Sequence, residues 1–233
     1  MLPVVEPEMR ATWDAAAASS EQHALLVGPP ETALRELDDL FGRLGADPRG
    51  GTCVEVGCGP GRMTPHLAER FDRVLAVDVS PEMLALARRY ATAPNVEFLL
   101  VPGSKLEAID DGVADAVVCY LVMQHLPRSE LVRGYLREFA RVLAPDGQAF
   151  VQIPVLLGLR GRLWRAMRGA AVPFAGRLGD SVTSRLSYRG VRLTEAELAG
   201  AVAAAGLRAA VRVDEDSSPY RYAREVFLRL ERA

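Results

Sequence analysis

From residue 52 onward the chain alternates short apolar runs with longer amphipathic stretches. That rhythm predicts an α/β fold, with a mainly parallel sheet covered by helices. Strands are predicted at 52–56, 73–78, 95–101, 115–120, 148–154, 207–213 and 223–230. The last alternates apolar with charged residues, the mark of an edge or an antiparallel strand. Helices are predicted at 62–70, 81–92, 129–143 and 194–206. Ser80 is placed to cap the second of these, with Pro81 in its first turn. In the third, Leu131, Val132, Tyr135, Leu136, Phe139, Ala140 and Leu143 fall on one face, and the 144-APDG-147 turn stops it. The fourth opens with Thr194 and Glu197 in capping-box spacing and closes on Gly206.

Two segments stand outside this alternation. Residues 8–45 read as two helices parted by 28-GPP-30, and residues 155–193 form a long insertion after the fifth strand. In doubly wound folds the ligand lies beyond the carboxyl ends of the strands. Segments leaving those ends are where a cap over a pocket is built.

Composition narrows the partners. The 233 residues are 49% apolar, ample for one well-buried domain. A formal charge of -2 gives no general attraction to nucleic acid or to an anionic membrane, and neither is expected as a partner. No apolar run is long enough to span a bilayer, and MLPVVEPEMR lacks the layout of a signal peptide, so a cytoplasmic location is expected. Cys53, Cys58 and Cys119 fit neither a disulfide framework nor a tetrahedral metal set. With the histidines they form no recognisable ligand cluster, so no metal is expected. Lys105 is the one lysine and arginine is abundant, the usage of a GC-rich genome. Arginine clusters therefore carry less weight than usual.

The chemistry concentrates in 54-VEVGCGPGRMT-64. Gly57, Gly59 and Gly61 follow an apolar run that contains Glu55. A dinucleotide turn spaces its third glycine one position later, where Arg62 stands, and no lysine supplies a Walker loop. A carboxylate at the strand end repels a pyrophosphate but suits a ligand bearing an ammonium or sulfonium. Asp78, at the end of the second strand, is placed to accept both hydroxyls of a ribose. A nucleoside joined to a cation describes S-adenosylmethionine.

The chain here resembles the class I S-adenosylmethionine-dependent methyltransferases, in the small-molecule branch that includes ubiquinone and menaquinone biosynthesis enzymes. The resemblance rests on Glu55, Gly57, Gly59 and Gly61, on 74-VLAVDVSPEMLALAR-88, on 115-DAVVCYLVMQHL-126 and on 138-EFARVLAPDGQAFVQIP-154. It covers residues 50–154 well and 194–207 weakly. It implies a Rossmann-like, doubly wound seven-stranded sheet with its last strand antiparallel, N-terminal helices and a helical cap insertion. The single domain then divides into a lid (1–48), a cofactor-binding core (49–154), a substrate cap (155–193) and a C-terminal helix with strands (194–233).

Carried over by position, the resemblance implies that Gly57, Cys58, Gly59 and Gly61 approach the cofactor. Glu55 would act on its amino-acid end, directly or through water. Asp78, followed by Val79, would bind the ribose, and Met83 would pack on adenine. Gly103 and Ser104 would lie near the adenine, with Ser104 where many relatives carry an acid. Tyr120 would stand beside the methionine portion.

The acceptor side is read more openly. His125 is either a general base or a residue that packs its turn. Trp13 is part of a lid or an anchor of its helix. Leu121, Trp164 and Tyr188 are candidates to line a substrate pocket. The arginines of 155–193 form either a basic cap for an anionic or carrier-linked substrate or a solvated helix face. The expected reaction is methyl transfer to a small molecule of specialised metabolism, at oxygen first, by a monomer or homodimer. The alternative is a protein of the same fold that binds the cofactor and catalyses another reaction, such as a cyclisation.

Overall fold

The computed structural model describes residues 5–18, 30–171, 190–216 and 222–233. Strands β1 (Thr52–Val56), β2 (Arg73–Asp78), β3 (Val96–Leu100), β4 (Ala114–Cys119), β5 (Leu143–Leu156), β6 (Leu207–Glu215) and β7 (Ala223–Arg232) form a seven-stranded sheet. Their order is β3-β2-β1-β4-β5-β7-β6, and β7 is antiparallel to both its neighbours. Helices α1 (Val5–Ala18), α2 (Ala33–Arg43), α3 (Thr64–Ala68), α4 (Pro81–Tyr90), α5 (Ser129–Val142), α6 (Gly158–Ala171) and α7 (Glu195–Ala204) accompany the sheet. Short 3-10 turns occupy Pro30–Thr32 and Met123–His125. Among the described residues no helix is long and apolar enough to cross a membrane.

Strand periodicity builds two cores. Val54, Val56, Leu75 and Val77 point to the face packed by Val132, Leu136 and Phe139 of α5 and Leu198 of α7. Cys53, Val74 and Ala76 point the other way, to Leu37, Leu40 and Phe41 of α2 and Leu67 of α3. Glu55 shares the parity of Cys53, so the strand delivers a carboxylate beneath the start of α3. The caps are those the sequence specifies. Ser80 Oγ accepts from Met83 N at 3.1 Å, and Thr194 with Glu197 closes a reciprocal capping box. Gly206 follows α7 at φ 73°.

Several boundaries differ from the sequence reading. The apolar helix face ends at Val142, and Leu143 already belongs to β5. The 144-APDG-147 segment is therefore no free turn between elements. It bulges from β5 between the pairs Ala114 with Leu143 and Ala116 with Gln148. A Cβ at Gly147 would come within 2.4 Å of Ala114 O, so the bulge needs glycine there for a close approach. The strand β7 is interior rather than an edge, and β6 and β3 take the edges. The helix expected over 62–70 is confined to Thr64–Ala68, because Gly57 to Gly61 hold left-handed turns up to its start.

Phe150 of β5 is fully buried and meets Phe41 of α2 edge to face, with ring centroids 4.9 Å apart. Phe150→Ala is expected to cost about 3–5 kcal/mol of stability, read by denaturant titration at unchanged m-value.

Candidate functional site

The site is built where β1 and β2 end. Gly57 N and Cys58 N both donate to Val77 O, at 2.8 and 3.0 Å, which pins the glycine loop to the neighbouring strand. Gly57 lies at φ 69°, and a Cβ there would come within 2.5 Å of a Val122 methyl. Gly61, at φ 86°, lets the loop approach α4, where a Cβ would sit 3.1 Å from Ala87. Both positions need glycine for conformation and for space.

Asp78 joins the loop to the next helix. Its Oδ2 accepts from Gly59 N and its Oδ1 from Ser80 N, each at 2.9 Å. Glu55 accepts from Thr64 Oγ1 at 2.7 Å. Arg62, buried at the edge of the site, donates to Glu36 at 2.8 Å and to Thr32 Oγ1 at 3.3 Å, tying the loop to α2. The helix α1 closes over the same corner. Arg10 Nε donates to Val79 O at 3.1 Å, and Ser80 Oγ donates to Asp14.

These elements enclose a cavity. Glu55, Gly57, Cys58, Gly59, Asp78, Val79 and Met83 line one side. Trp13, Tyr120, Leu121 and His125 line the other. The sequence reading thus converges on one place from four separate segments. Gly61 lies in the loop but not in the cavity wall. Gly103 and Ser104 are also absent from that wall. Ser104 packs on α5, where a Cβ at Gly134 would meet its Oγ at 2.5 Å. Trp164 stands elsewhere, stacked on Tyr222 at 4.3 Å with Arg192 over its face at 5.5 Å. Tyr188 lies outside the described residues, as do Arg177, Arg185 and Arg189 of the insertion.

Other wall residues escaped the sequence reading. Met9 joins Trp13 one helical turn away, a spacing that the sequence displayed. Tyr135 reaches the cavity from α5, where its spacing identified only a core position. Leu121 holds φ 59°, a left-handed conformation that no leucine announces in sequence. His125 sits on the 3-10 turn after β4. Its ring meets Trp13 edge to face at 5.1 Å, and its Nε2 lies 3.1 Å from Gln124 Nε2.

Burial governs the electrostatics. Glu55 is pushed up to about 8 by burial and the nearby Asp78 charge, against the Thr64 hydrogen bond and Arg62. Asp78 is raised by burial and by Asp14, against the backbone donors of Ser80, Gly59 and Val79. Two buried carboxylates in one cavity disfavour their own ionisation and favour a cationic guest. Burial also raises the Tyr120 hydroxyl, with Glu36 adding to the effect. Among the described residues no group of histidine, cysteine and acidic side chains is arranged to hold a metal.

The sheet order, the glycine loop and the paired carboxylates define the class I S-adenosylmethionine-dependent methyltransferase fold. Residues 54–151 match the family model described as a methyltransferase domain. A ubiquinone biosynthesis O-methyltransferase of Xanthomonas oryzae pv. oryzae is 30% identical over 141 residues, 60% of this chain and 54% of that protein. An N-demethylindolmycin N-methyltransferase of Streptomyces griseus is 36% identical over 100 residues, 42% of each chain. The matched part thus spans about half the length of the curated relatives. Among solved structures, the [4+2]-cyclase SpnF aligns with a TM-score of 0.70 at 18% identity, over 100% of this chain and 97% of that one.

The cofactor of this family is S-adenosylmethionine, and the cavity fits it. Its carboxylates suit a sulfonium and an ammonium, and the glycine loop leaves the backbone bare beside them. The free chain holds a proton on Glu55 that the unfolded chain releases near 4.5, so unliganded stability should fall as pH rises from 4.5 toward about 8. Binding a cation favours the ionised form. Cofactor affinity should therefore rise with pH up to about 8 and level off above it. Calorimetry from pH 6 to 9 reads this slope, and Glu55→Gln should flatten it.

Proposed function

We propose that the chain transfers the methyl group of S-adenosylmethionine to a small-molecule acceptor, at oxygen, in specialised metabolism. The observation that carries the reading is the convergence of Glu55, Asp78, Tyr120 and His125 on one cavity beyond the strand ends. Relatives whose names specify oxygen and nitrogen acceptors support a methyl transfer of this kind. We place the acting molecule in the cytoplasm, as a monomer or homodimer.

The cofactor supplies an electrophilic methyl group on a sulfonium with a good leaving group. The chain's own work is alignment and exclusion of water, and positioning of this kind contributes about 7–11 kcal/mol in favourable cases. Asp78 would accept from the ribose hydroxyls while its backbone donors hold it in place. Glu55 would face the ammonium end, and Met83, beneath the Ser80 cap, would lie against the adenine. Gly103 and Ser104 would support that end from behind α5 rather than touch it. Tyr120 and Leu121 would flank the point where the acceptor oxygen meets the methyl group of the cofactor. Trp13 would close the cavity from α1 and hold the His125 ring by its edge. His125 would take the proton of a hydroxyl acceptor.

Three outcomes test the reading. Asp78→Asn should lower cofactor affinity roughly 10- to 150-fold, since a charge-assisted pair is worth about 1.5–3 kcal/mol. Calorimetry showing unchanged binding would remove the ribose assignment. With a hydroxyl acceptor, His125→Gln should reduce kcat and abolish the acidic limb of its pH profile; retention of that limb would leave His125 a packing residue. Incubation with methyl-labelled cofactor should label the acceptor. A cyclised, unlabelled product would favour the alternative, a cofactor-binding cyclase.

A further inference from the structure

A cleft of about 350 Å³ lies between α2 and the ends of the central strands. It shares Tyr120 and Leu121 with the cofactor cavity, so the two spaces adjoin along one short stretch leaving β4. Beyond that stretch Leu40 and Phe227, both buried, supply an apolar floor. Ligand sites commonly combine such a floor with a few placed polar groups.

The polar groups around the cleft are one-sided. Among the described residues that line it, Glu36, Asp39, Glu215 and Glu225 face a single guanidinium, that of Arg43. Glu36 is engaged by Arg62, and Arg43 is engaged by Glu215. Arg43 is thereby committed, and Asp39 and Glu225 have no cationic partner among the described residues. Two arginines of the cap are also committed. Arg165 pairs with Glu197, and Arg192 lies over Trp164 and Tyr222.

The shared stretch is linked to this side of the cleft. Among the described residues Leu121 is the non-glycine residue held in the left-handed region, a conformation that L side chains adopt at a cost. Its N–H donates to Gln152 Oε1 at 3.1 Å, and Gln152, only 2% exposed, donates through Nε2 to Glu225. A guest that engages Glu225 therefore touches the bonds that hold the shared stretch in place.

Resting on the methyl-transfer reading, we propose that this cleft receives the acceptor and selects one carrying a protonated amine on a flat apolar body. The body lies against Leu40 and Phe227, the ammonium takes the side of Asp39 and Glu225, and the oxygen points past Tyr120 and Leu121 into the cofactor cavity where His125 stands. An anionic acceptor meets uncompensated carboxylates in the same place.

Tyramine, p-cresol and 3-(4-hydroxyphenyl)propionate share a phenol and differ in charge, which makes them suitable probes. Each is titrated into the chain saturated with S-adenosylhomocysteine, with binding read by calorimetry. Tyramine should bind roughly tenfold or more tightly than the propionate. Asp39→Asn and Glu225→Gln should each erode that preference several-fold, and Asp39→Asn should leave affinity for S-adenosylhomocysteine unchanged. Asp39 is exposed on α2, so its substitution tests the charge even where loss of Glu225 disturbs Gln152. Equal or tighter binding of the propionate, or a tyramine preference that survives the double substitution, overturns the proposal. Failure to bind S-adenosylhomocysteine at all would instead overturn the methyl-transfer reading.

Discussion

Asp78 is the point from which the site hangs. One carboxylate accepts the N–H of Gly59 from the loop after β1 and the N–H of Ser80 at the start of α4. It therefore fixes the separation of two strand ends as well as the shape of the turn between them. Ser80 extends the connection, since its hydroxyl accepts from Met83 N and donates to Asp14 of α1. Burying such a carboxylate is costly unless its lone pairs are met. The backbone donors meet part of that demand, and the remainder is what a ribose can satisfy.

Much of this was legible in sequence because the relevant signals are local. Alternation at 52–56 and 73–78 located the strands, and glycines at 57, 59 and 61 located the turn. Ser80 with Pro81 announced α4, and Thr194 with Glu197 announced α7. Each signal is read within a few residues and has one economical structural answer. The joining of Glu55, Asp78 and Tyr120 in one cavity followed from strand order, which the resemblance implied.

What escaped the sequence depends on contacts between distant segments. The 144-APDG-147 segment carries every local mark of a free turn, yet pairing of Leu143 with Ala114 draws it into a bulged strand. Alternation in 223–230 is compatible with an edge or an antiparallel interior strand, and only the pairing with both β5 and β6 decides between them. Leu121 is held left-handed by a glutamine 31 residues away. Ser104 lies against Gly134, which draws it away from the cavity that its position in the motif suggested. In each case tertiary packing outweighs the local preference.

The glycine loop shows how a departure from a familiar spacing becomes a different solution to the same constraint. In a dinucleotide turn the last glycine admits close packing of helix and strand. Here Gly61 arrives one position early and meets Ala87 of α4, so close approach is made to a different helix. The position thus released is Arg62, whose guanidinium is 7% exposed and paired with Glu36. The loop is consequently clamped on two sides, by Asp78 of β2 and by Glu36 of α2. That second clamp places α2 against the strand ends, and the floor residue Leu40 lies one turn beyond Glu36 on the same helix. The early glycine, which turns the loop away from pyrophosphate, thereby also helps set one wall of the neighbouring cleft.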